Sequence, residues 1–295
     1  MTTQEPYTIV MAIKPFSHQQ GSEFNNLRRF LDIGMVTYEH FFSNDAKSSL
    51  SEFMVIVPKG DVTAVQGALT AKYPSWPWKV INEDSLLHPA LPPGWSRQQT
   101  LKLAVSYLIQ TDLYLIIDDD TYLTKPFHGA ENLRDPATNK VLLNRCMIDF
   151  PFFFFWSNQI LDFDFDIVQN APYHMAITPE VFITSEVRDL TKHLITKHGD
   201  KKQWQLHLAN NKFTEYCLYW IWLMMQNKTK DLYATPECPL ALYGYPTTGP
   251  EHDMKERVAQ SFHDNANFWF SFVQSSLPYP VSSVRDTILA HLQKA

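Results

Sequence analysis

The chain has 295 residues, 45% of them hydrophobic, so it can bury a large core and is too apolar to be mainly disordered. Its net charge of -6 gives no overall basic field of the kind that nucleic-acid binding needs, so we expect no nucleic acid among its partners, although a local basic patch stays open. Cys146, Cys217 and Cys238 lack the paired spacing of a zinc or redox site, which favours a reducing compartment.

Membrane insertion and secretion are not indicated. The N-terminus reaches acidic and proline residues before any long apolar run, unlike a signal peptide. The most apolar stretch, Cys217–Met225, has about half of the ~20 residues that a membrane span needs. We expect a cytoplasmic protein without a transmembrane segment, and peripheral attachment to a membrane stays open.

The first half alternates short apolar runs with helical patterns, which is typical of βαβ units and a largely parallel sheet. Strands are predicted at Tyr7–Ile13, Phe53–Val57, Trp78–Ile81 and Leu113–Ile117. Helices are predicted at Glu23–Phe42, Val62–Tyr73 and Ser96–Gln110. This pattern predicts an α/β fold with helices flanking the sheet.

After Phe127 the pattern changes. The sequence predicts a strand near Val141 and helices at Pro179–His198, Phe213–Gln226 and Val281–Gln293. The aromatic run Phe152–Trp156, with Trp220 and Trp222, is assigned to the core in preference to a site, and the alternative is that some of these rings wall an acceptor groove, because sugar C–H faces pack well on aromatic rings. Since there is no internal repeat or low-complexity linker, we expect one compact domain over residues 1–295, with a division near residue 128.

Asp118, Asp119 and Asp120 directly follow the last strand of the first half. Ligands of an open α/β sheet bind at the carboxyl ends of its strands. Adjacent carboxylates repel one another unless a cation or hydrogen-bond donors offset their charge, and Mg²⁺ and Mn²⁺ commonly bridge one or two carboxylates to substrate phosphates. The aspartates therefore predict a divalent-metal site on Asp118 and Asp120, the alternative being a solvated acidic turn capped by Thr121.

Four stretches carry a resemblance to a known family. They are GWSRQQTLKL at Gly94–Leu103, LYLIIDDDTYLTKPF at Leu113–Phe127, YHMAITPEVF at Tyr173–Phe182 and FTEYCLY at Phe213–Tyr219. In this order they resemble the bacterial and viral polysaccharide glycosyltransferases of GT-A fold, especially the DUF6492-like group. The order of all four is more specific than the DxD-like element alone.

The resemblance implies a GT-A-like fold and a metal-dependent enzyme with Mn²⁺ or Mg²⁺ as cofactor. It implies transfer of a sugar from a nucleotide-sugar donor linked to UDP, GDP or dTDP to a carbohydrate acceptor, and inversion is expected if a carboxylate near the sugar carbon acts as general base. Residues 1–128 would bind the nucleotide sugar and residues 129–295 the acceptor. A CMP-linked donor is a further possibility, which would make the role of the metal less certain.

Candidate donor-binding residues follow from the resemblance and from position near the strand ends. Asp118 would contact the ribose or the metal, and Asp119 would support the turn. The other candidates are Lys14, Pro15 and Phe16 after the first strand, Trp95, Gln98, Gln99 and Lys102 before the aspartate strand, and His174. For most of these an ordinary structural role is an equal alternative.

Glu215, behind the plausible helix cap Thr214, is the candidate general base that would remove a proton from the acceptor hydroxyl. Its alternative role is to complement the dipole of its helix. GT-A enzymes often draw a further metal ligand from near the C-terminus, and His263 is preferred for it over His252.

Two rival functions remain. A nucleotidyltransferase also uses strand-end aspartates and a metal, but the segment after the first strand, KPFSHQQGSEF, lacks its usual glycine-rich loop. A non-catalytic carbohydrate-binding protein has no need of Glu215 together with three aspartates. The sequence contains no GxGxxG, GxSxG or Walker element.

Overall fold

The computed structural model describes residues 5–14, 26–144, 151–164, 175, 177–200, 202–234, 238, 240–244, 246–248, 253–263 and 267–293. The strands are β1 Tyr7–Ala12, β2 Leu50–Val57, β3 Trp78–Asn82, β4 Leu113–Ile117, β5 Thr121–Leu123, β6 Glu180–Ile183 and β7 Phe270–Phe272. The helices are α1 Asn26–Arg29, α2 Met35–Phe41, α3 Asn44–Ser49, α4 Val62–Lys72, α5 Trp95–Ala104, α6 Pro151–Leu161, α7 Thr184–His198, α8 Gln203–Ala209, α9 Glu215–Met225, α10 Thr229–Leu232, α11 Met254–His263 and α12 Val281–Leu292.

The main sheet has five strands in the order β3-β2-β1-β4-β6. The first four are parallel, and β6 joins β4 antiparallel at one edge. Every residue of β1 and β4 is buried, as expected for central strands with helices on both faces. The predicted, mostly parallel sheet is confirmed, and it brings the ends of β1 and β4 side by side.

The predicted helix over residues 23–42 is interrupted. Between α1 and α2, Phe30–Gly34 forms a π-helical turn, a feature that often marks functional sites. A Cβ on Gly34 would lie 2.9 Å from the carbonyl oxygen of Thr121, so the absence of a side chain lets this turn approach β5. The turn thus packs against the segment that carries the three aspartates.

A second, two-stranded sheet pairs β5 antiparallel with β7. Thr121 lies opposite Phe272, 151 positions later in the printed sequence, so this pairing brings the C-terminal part of the chain to the aspartates. The backbone N–H of Val273 donates to the carbonyl oxygen of Asp120 at 3.3 Å. One wall of the candidate site therefore comes from the second half of the chain.

Three sequence predictions in the second half need correction. The predicted helix Pro179–His198 begins with strand β6, because Glu180–Ile183 pairs with β4, and only Thr184–His198 is helical. Val141 makes isolated bridges with Arg134 and Tyr233 instead of a strand. Of the aromatic residues assigned to the core, Phe154, Trp220 and Trp222 are buried as predicted, whereas the core assignment was wrong for two others.

Those two are Phe152 and Phe155, which are 42% and 56% exposed on α6. Their helix buries its opposite face, so the aromatic run does not form a fully buried segment.

Among the described residues, no helix is both long and apolar enough to cross a bilayer.

Candidate active site

A cavity of about 660 Å³ opens at the carboxyl ends of β1 and β4. Its lining from the first half of the chain comprises Trp95, Gln98, Gln99, Lys102, Asp118 and Asp120. Its lining from the second half comprises Ile177, Thr178, Thr214, Tyr216, Thr248, Phe272, Gln274, Ser275 and Ser276. Six candidates from the sequence thus meet in one cavity at the edge of the sheet where α/β proteins bind ligands.

Helix α5 carries four of these candidates. Gly94, which precedes it, has φ +133°, a conformation that favours glycine. Within α5, the Nε2 of Gln98 donates to the carbonyl oxygen of Ala12 at 2.7 Å, which fixes the helix against the end of β1. Gln99 and Lys102 are buried, whereas Trp95 is 47% exposed at the mouth of the cavity.

The side chains of the three aspartates have different neighbours. Asp118 and Asp120 line the cavity, and Asp120 Oδ2 accepts the backbone N–H of Ser275 at 2.7 Å. Asp119 is not in that lining, and its Oδ2 lies 3.9 Å from Nη1 of the buried Arg29. Asp119 therefore ties the turn to the helical segment around residue 29.

Lys102 joins two carboxylates inside the protein. Its Nζ lies 3.0 Å from Asp118 Oδ1 and 2.8 Å from Glu215 Oε1, and it donates to Tyr216 Oη at 3.4 Å. Lys102 and Glu215 are essentially inaccessible to solvent, while the Asp118 side chain retains 27% exposure. The charge of Asp118 thus faces the cavity and is backed by a buried cation.

Burial and neighbouring charges shift the ionisation of the group. Burial acts to lower the pKa of Lys102, but the carboxylates of Asp118 and Glu215 raise it above its ordinary value. Burial raises the pKa of Glu215, and Lys102 opposes this shift. Burial and the charge of Asp118 raise the pKa of Asp120 to about 6, against the hydrogen bond from Ser275. A cation in the cavity would favour the ionised form of Asp120.

Two carboxylates in one cavity suit Mg²⁺ or Mn²⁺, which is commonly held by one or two carboxylates together with substrate phosphates. Within the part of the chain that the structure describes, no group of three or more His, Cys, Asp or Glu side chains could hold a metal ion. Asp118 and Asp120 are carboxylates in the cavity lining that could hold such an ion.

Helix α9 supplies the other side of the ion cluster. Its predicted cap is confirmed, because Thr214 Oγ1 accepts the backbone N–H of Cys217 at 3.0 Å. Glu215 follows in the first turn, with its carboxylate directed to Lys102 and absent from the cavity lining. The neighbouring Tyr216 also lines the cavity, a position that was not predicted from the sequence.

Other site predictions have different outcomes. His263 is exposed at the end of α11, its ring centroid 6.4 Å from that of His291, and it does not line the cavity. Lys14 is exposed after β1, and its carbonyl oxygen accepts Asn26 Nδ2 at 3.1 Å. The remaining candidates, Pro15, Phe16, His174 and His252, lie outside the described residues.

The wall formed by Thr248, Gln274, Ser275 and Ser276 was missed from the sequence. These side chains approach the aspartates only because β7 pairs with β5. The alternation in FWFSF, residues 268–272, is the one local sign of a strand at this point.

The sequence of this chain matches a known protein family. Residues 7–295 match the model of a family of unknown function, DUF6492. The chain belongs to this family. No curated protein matches it in sequence.

Two solved structures share the fold of this DUF6492 member. Mouse xyloside xylosyltransferase 1 in its apo form is 12% identical, with a TM-score of 0.51 over 93% of this chain and 100% of that one. The apo structure of the bifunctional glycosyltransferase WbbM is 10% identical, with a TM-score of 0.53 over 99% of this chain and 50% of that one. At these identities the similarity shows the fold alone, and the predicted GT-A-like α/β fold is confirmed.

Proposed function

We propose that this chain is a glycosyltransferase that moves a sugar from a nucleotide-sugar donor to a carbohydrate acceptor, with inversion and with a divalent cation. The observation that carries the proposal is that Asp118 and Asp120 line one cavity with Lys102 at the carboxyl edge of the sheet. The fold shared with two glycosyltransferases supports the reaction class.

The donor diphosphate is assigned to the aspartate side of the cavity. Asp118 and Asp120 would hold Mn²⁺ or Mg²⁺, which as a Lewis acid stabilises negative charge on a departing diphosphate. Lys102 keeps Asp118 in place through their 3.0 Å ion pair, and Gln98 and Gln99 present polar groups nearby. Trp95, at the mouth, offers a ring face to a base or a sugar.

Glu215 is the proposed general base. In the structure it is buried and paired with Lys102, so it must exchange this partner for an acceptor hydroxyl before it can take a proton. If that exchange does not occur, Glu215 acts only by holding Lys102. The two roles make different predictions for Glu215→Gln.

The first test is a thermal-shift screen with UDP, GDP, dTDP and CMP, each with and without Mn²⁺. A ligand that binds the folded state raises its apparent stability by mass action. We expect a Mn²⁺-dependent shift with one diphosphate, and its affinity should fall at least about tenfold, or roughly 1.4 kcal/mol, in Asp118→Asn and Asp120→Asn.

Asp112→Asn is the matched control, because Asp112 precedes β4 as Asp118 follows it and is exposed at the other end of that strand. It should bind nucleotide like the wild type. Equal shifts in all three variants would place nucleotide binding elsewhere, and no shift with any nucleotide would contradict a nucleotide-sugar donor.

The second test is turnover with the donor identified in that screen. Glu215→Gln should reduce transfer by roughly 10²-fold to 10⁴-fold while nucleotide binding is kept. Full transfer by this variant would show that Glu215 is not the base. Release of a nucleoside diphosphate from the nucleotide sugar supports glycosyl transfer, whereas release of pyrophosphate from a nucleoside triphosphate supplied together with a sugar 1-phosphate would indicate a nucleotidyltransferase.

A further inference from the structure

The outer face of α6 is aromatic. Phe152 and Phe155, one helical turn apart, are 42% and 56% exposed, and Trp156 is half-buried beside them. The opposite face carries Phe154 and Ile160, each only 1% exposed. One face of α6 therefore packs on the core, and the other presents large rings to solvent.

These rings continue to the mouth of the cavity. The ring centroid of Phe153 lies 4.9 Å from that of Phe152 and 5.4 Å from that of Trp95, which lines the cavity. The centroids of Phe155 and Trp156 are 5.6 Å apart. We define the aromatic strip as Trp95, Phe152, Phe153, Phe155 and Trp156.

Helix α6 itself carries no charged side chain, and two lysines lie beside it. Helix α6, PFFFFWSNQIL, contains no Asp, Glu, Lys or Arg. Lys212 lies with its Nζ 5.5 Å from the Phe152 ring centroid, and Lys197, near the end of α6, pairs with Asp162 at 2.5 Å. A helix that binds a membrane surface typically carries Lys or Arg on its polar face, and α6 carries neither.

Exposed rings on a helix without charged residues suit a carbohydrate. The C–H groups of a pyranose carry slight positive charge and pack on the electron-rich face of an aromatic ring, while the hydroxyl groups at its edge stay in water. Phe152 and Phe155 are three residues apart, roughly 4.5 Å along the helix axis, which is close to the length of one sugar unit. Because the strip reaches the mouth of the cavity, an oligosaccharide bound along it would have one end directed toward the cavity.

We propose that the aromatic strip is an acceptor subsite, which stacks the sugar units of an oligosaccharide and directs its end into the cavity. The proposal rests on the proposed glycosyl transfer and adds to it the class of acceptor: a chain of several sugars with exposed apolar ring faces, held outside the cavity. Phe152 and Phe155 do not line the cavity that holds Asp118 and Asp120, so sugar units on these two rings leave the donor side of the cavity open.

The experiment measures binding of the fluorescently labelled protein to an array of immobilised neutral and acidic oligosaccharides. The test variant is Phe152→Ala/Phe155→Ala, which shortens only exposed rings. The control is Tyr107→Ala, which removes an aromatic ring of similar exposure, 44%, that does not line the cavity. We expect the wild type and Tyr107→Ala to bind the same oligosaccharides, and the double variant to lose at least tenfold in affinity.

A second pair of measurements separates stacking from simple apolar contact. Phe155→Leu keeps an apolar side chain without a ring, and should weaken oligosaccharide binding while Phe155→Trp keeps it. Vesicles of phosphatidylcholine and phosphatidylglycerol serve as the competing surface. Binding to vesicles in place of the array, no binding to the array, or equal array binding by the double variant would each overturn the proposal.

Nucleotide binding distinguishes this failure from failure of the proposed function. The Mn²⁺-dependent thermal shift should be the same in wild type and Phe152→Ala/Phe155→Ala, because neither ring lines the cavity. If the Mn²⁺-dependent thermal shift is kept and no oligosaccharide binds, only the proposed subsite is overturned. Oligosaccharide binding without any nucleotide shift overturns the transferase and leaves a carbohydrate-binding protein.

Discussion

Two cavities lie at opposite ends of β4 and hold their charges in different ways. At the Asp112 end, a cavity of about 470 Å³ has Arg134 and Lys140 in its lining, and Arg134 pairs near the surface with Glu5 at 2.8 Å. At the Asp118 end, the cation Lys102 is 2% exposed in its side chain, and its partner Glu215 is 0% exposed. Charges of both signs line both cavities, but a buried ion pair, between Lys102 and Glu215, lies beside the second.

This difference bears on what each cavity can do. A pair in contact with water is screened and contributes about 0–1 kcal/mol, while a buried pair has lost its hydration and depends on its partners. Proteins retain such buried groups at a cost, and they cluster at functional sites. The buried ion pair therefore favours the cavity at the Asp118 end as the functional one. Mutations at the two ends of β4 should differ in how much stability they cost and in how that cost depends on salt.

The largest effect is expected for Lys102→Met. Removing the cation leaves the buried Glu215 without its ion-pair partner, and breaking a buried pair costs about 3–5 kcal/mol. Unfolding in urea at pH 7 measures the loss. Lys140→Met is the control at the other cavity, where Nζ donates to the carbonyl oxygen of Lys230 at an exposed position, and it should cost less than about 0.5 kcal/mol.

The double variant Lys102→Met/Glu215→Gln sharpens this result. If the cost arises from the uncompensated carboxylate, removing its charge as well should restore a large part of the lost stability. A double variant as unstable as Lys102→Met would instead assign the loss to packing of the lysine side chain.

A smaller effect, with a defined pH dependence, is expected at Glu180 in β6. This carboxyl group is 0% exposed, opposite Ile116 of β4. Burial raises its pKa well above the usual value, and the nearby backbone N–H of Asn144 offsets only part of the shift. The folded state therefore holds the proton more tightly than the unfolded state, whose pKa is about 4.3.

The stability that Glu180 contributes is complete below that unfolded pKa and is lost as pH rises toward the folded one, by about 1.4 kcal/mol for each unit between them. Glu180→Gln should make the curve of unfolding free energy against pH flatter above about pH 4.3. The pKa values of Asp119, Asp120 and Glu215 are also raised, so part of the pH dependence of the unfolding free energy should remain in Glu180→Gln. Glu131→Gln, at an exposed position, is the control, and equal slopes in both variants would contradict the assignment.

The contrast between the two halves also explains what the sequence could predict. Strand β4 was predicted with the bounds that the structure has, since Leu113–Ile117 is a buried, branched run that ends at polar residues. Asp118 and Asp120 were expected at the carboxyl end of this strand, and they line the cavity there because the carboxyl ends of parallel strands converge. Here local pattern and tertiary position agree.

In the second half of the chain, contacts between residues far apart in the sequence determine the local structure. Residues 180–183 form a strand because β4 offers a free edge, although their neighbours continue as a helix. Ser275 reaches Asp120 from 155 positions away through the pairing of β5 with β7, and Lys102 meets Glu215 across two helices. No local pattern encodes contacts at such separations, which is why the C-terminal wall and the buried ion pair were not predicted.

The smallest effect is expected at the Asp112 end, where Arg134→Ala removes the ion pair with Glu5. Both side chains keep contact with water, at 22% and 34% exposure, so the loss should be at most about 1 kcal/mol in low salt. It should shrink further in about 1 M NaCl, where the screening length is about 3 Å. The cost of Lys102→Met should change little with salt, because ions do not enter the protein interior. Parallel urea titrations of both variants at the two salt concentrations measure this contrast, and an equal salt dependence would mean that water reaches Lys102 and that the two ends of β4 do not differ as described.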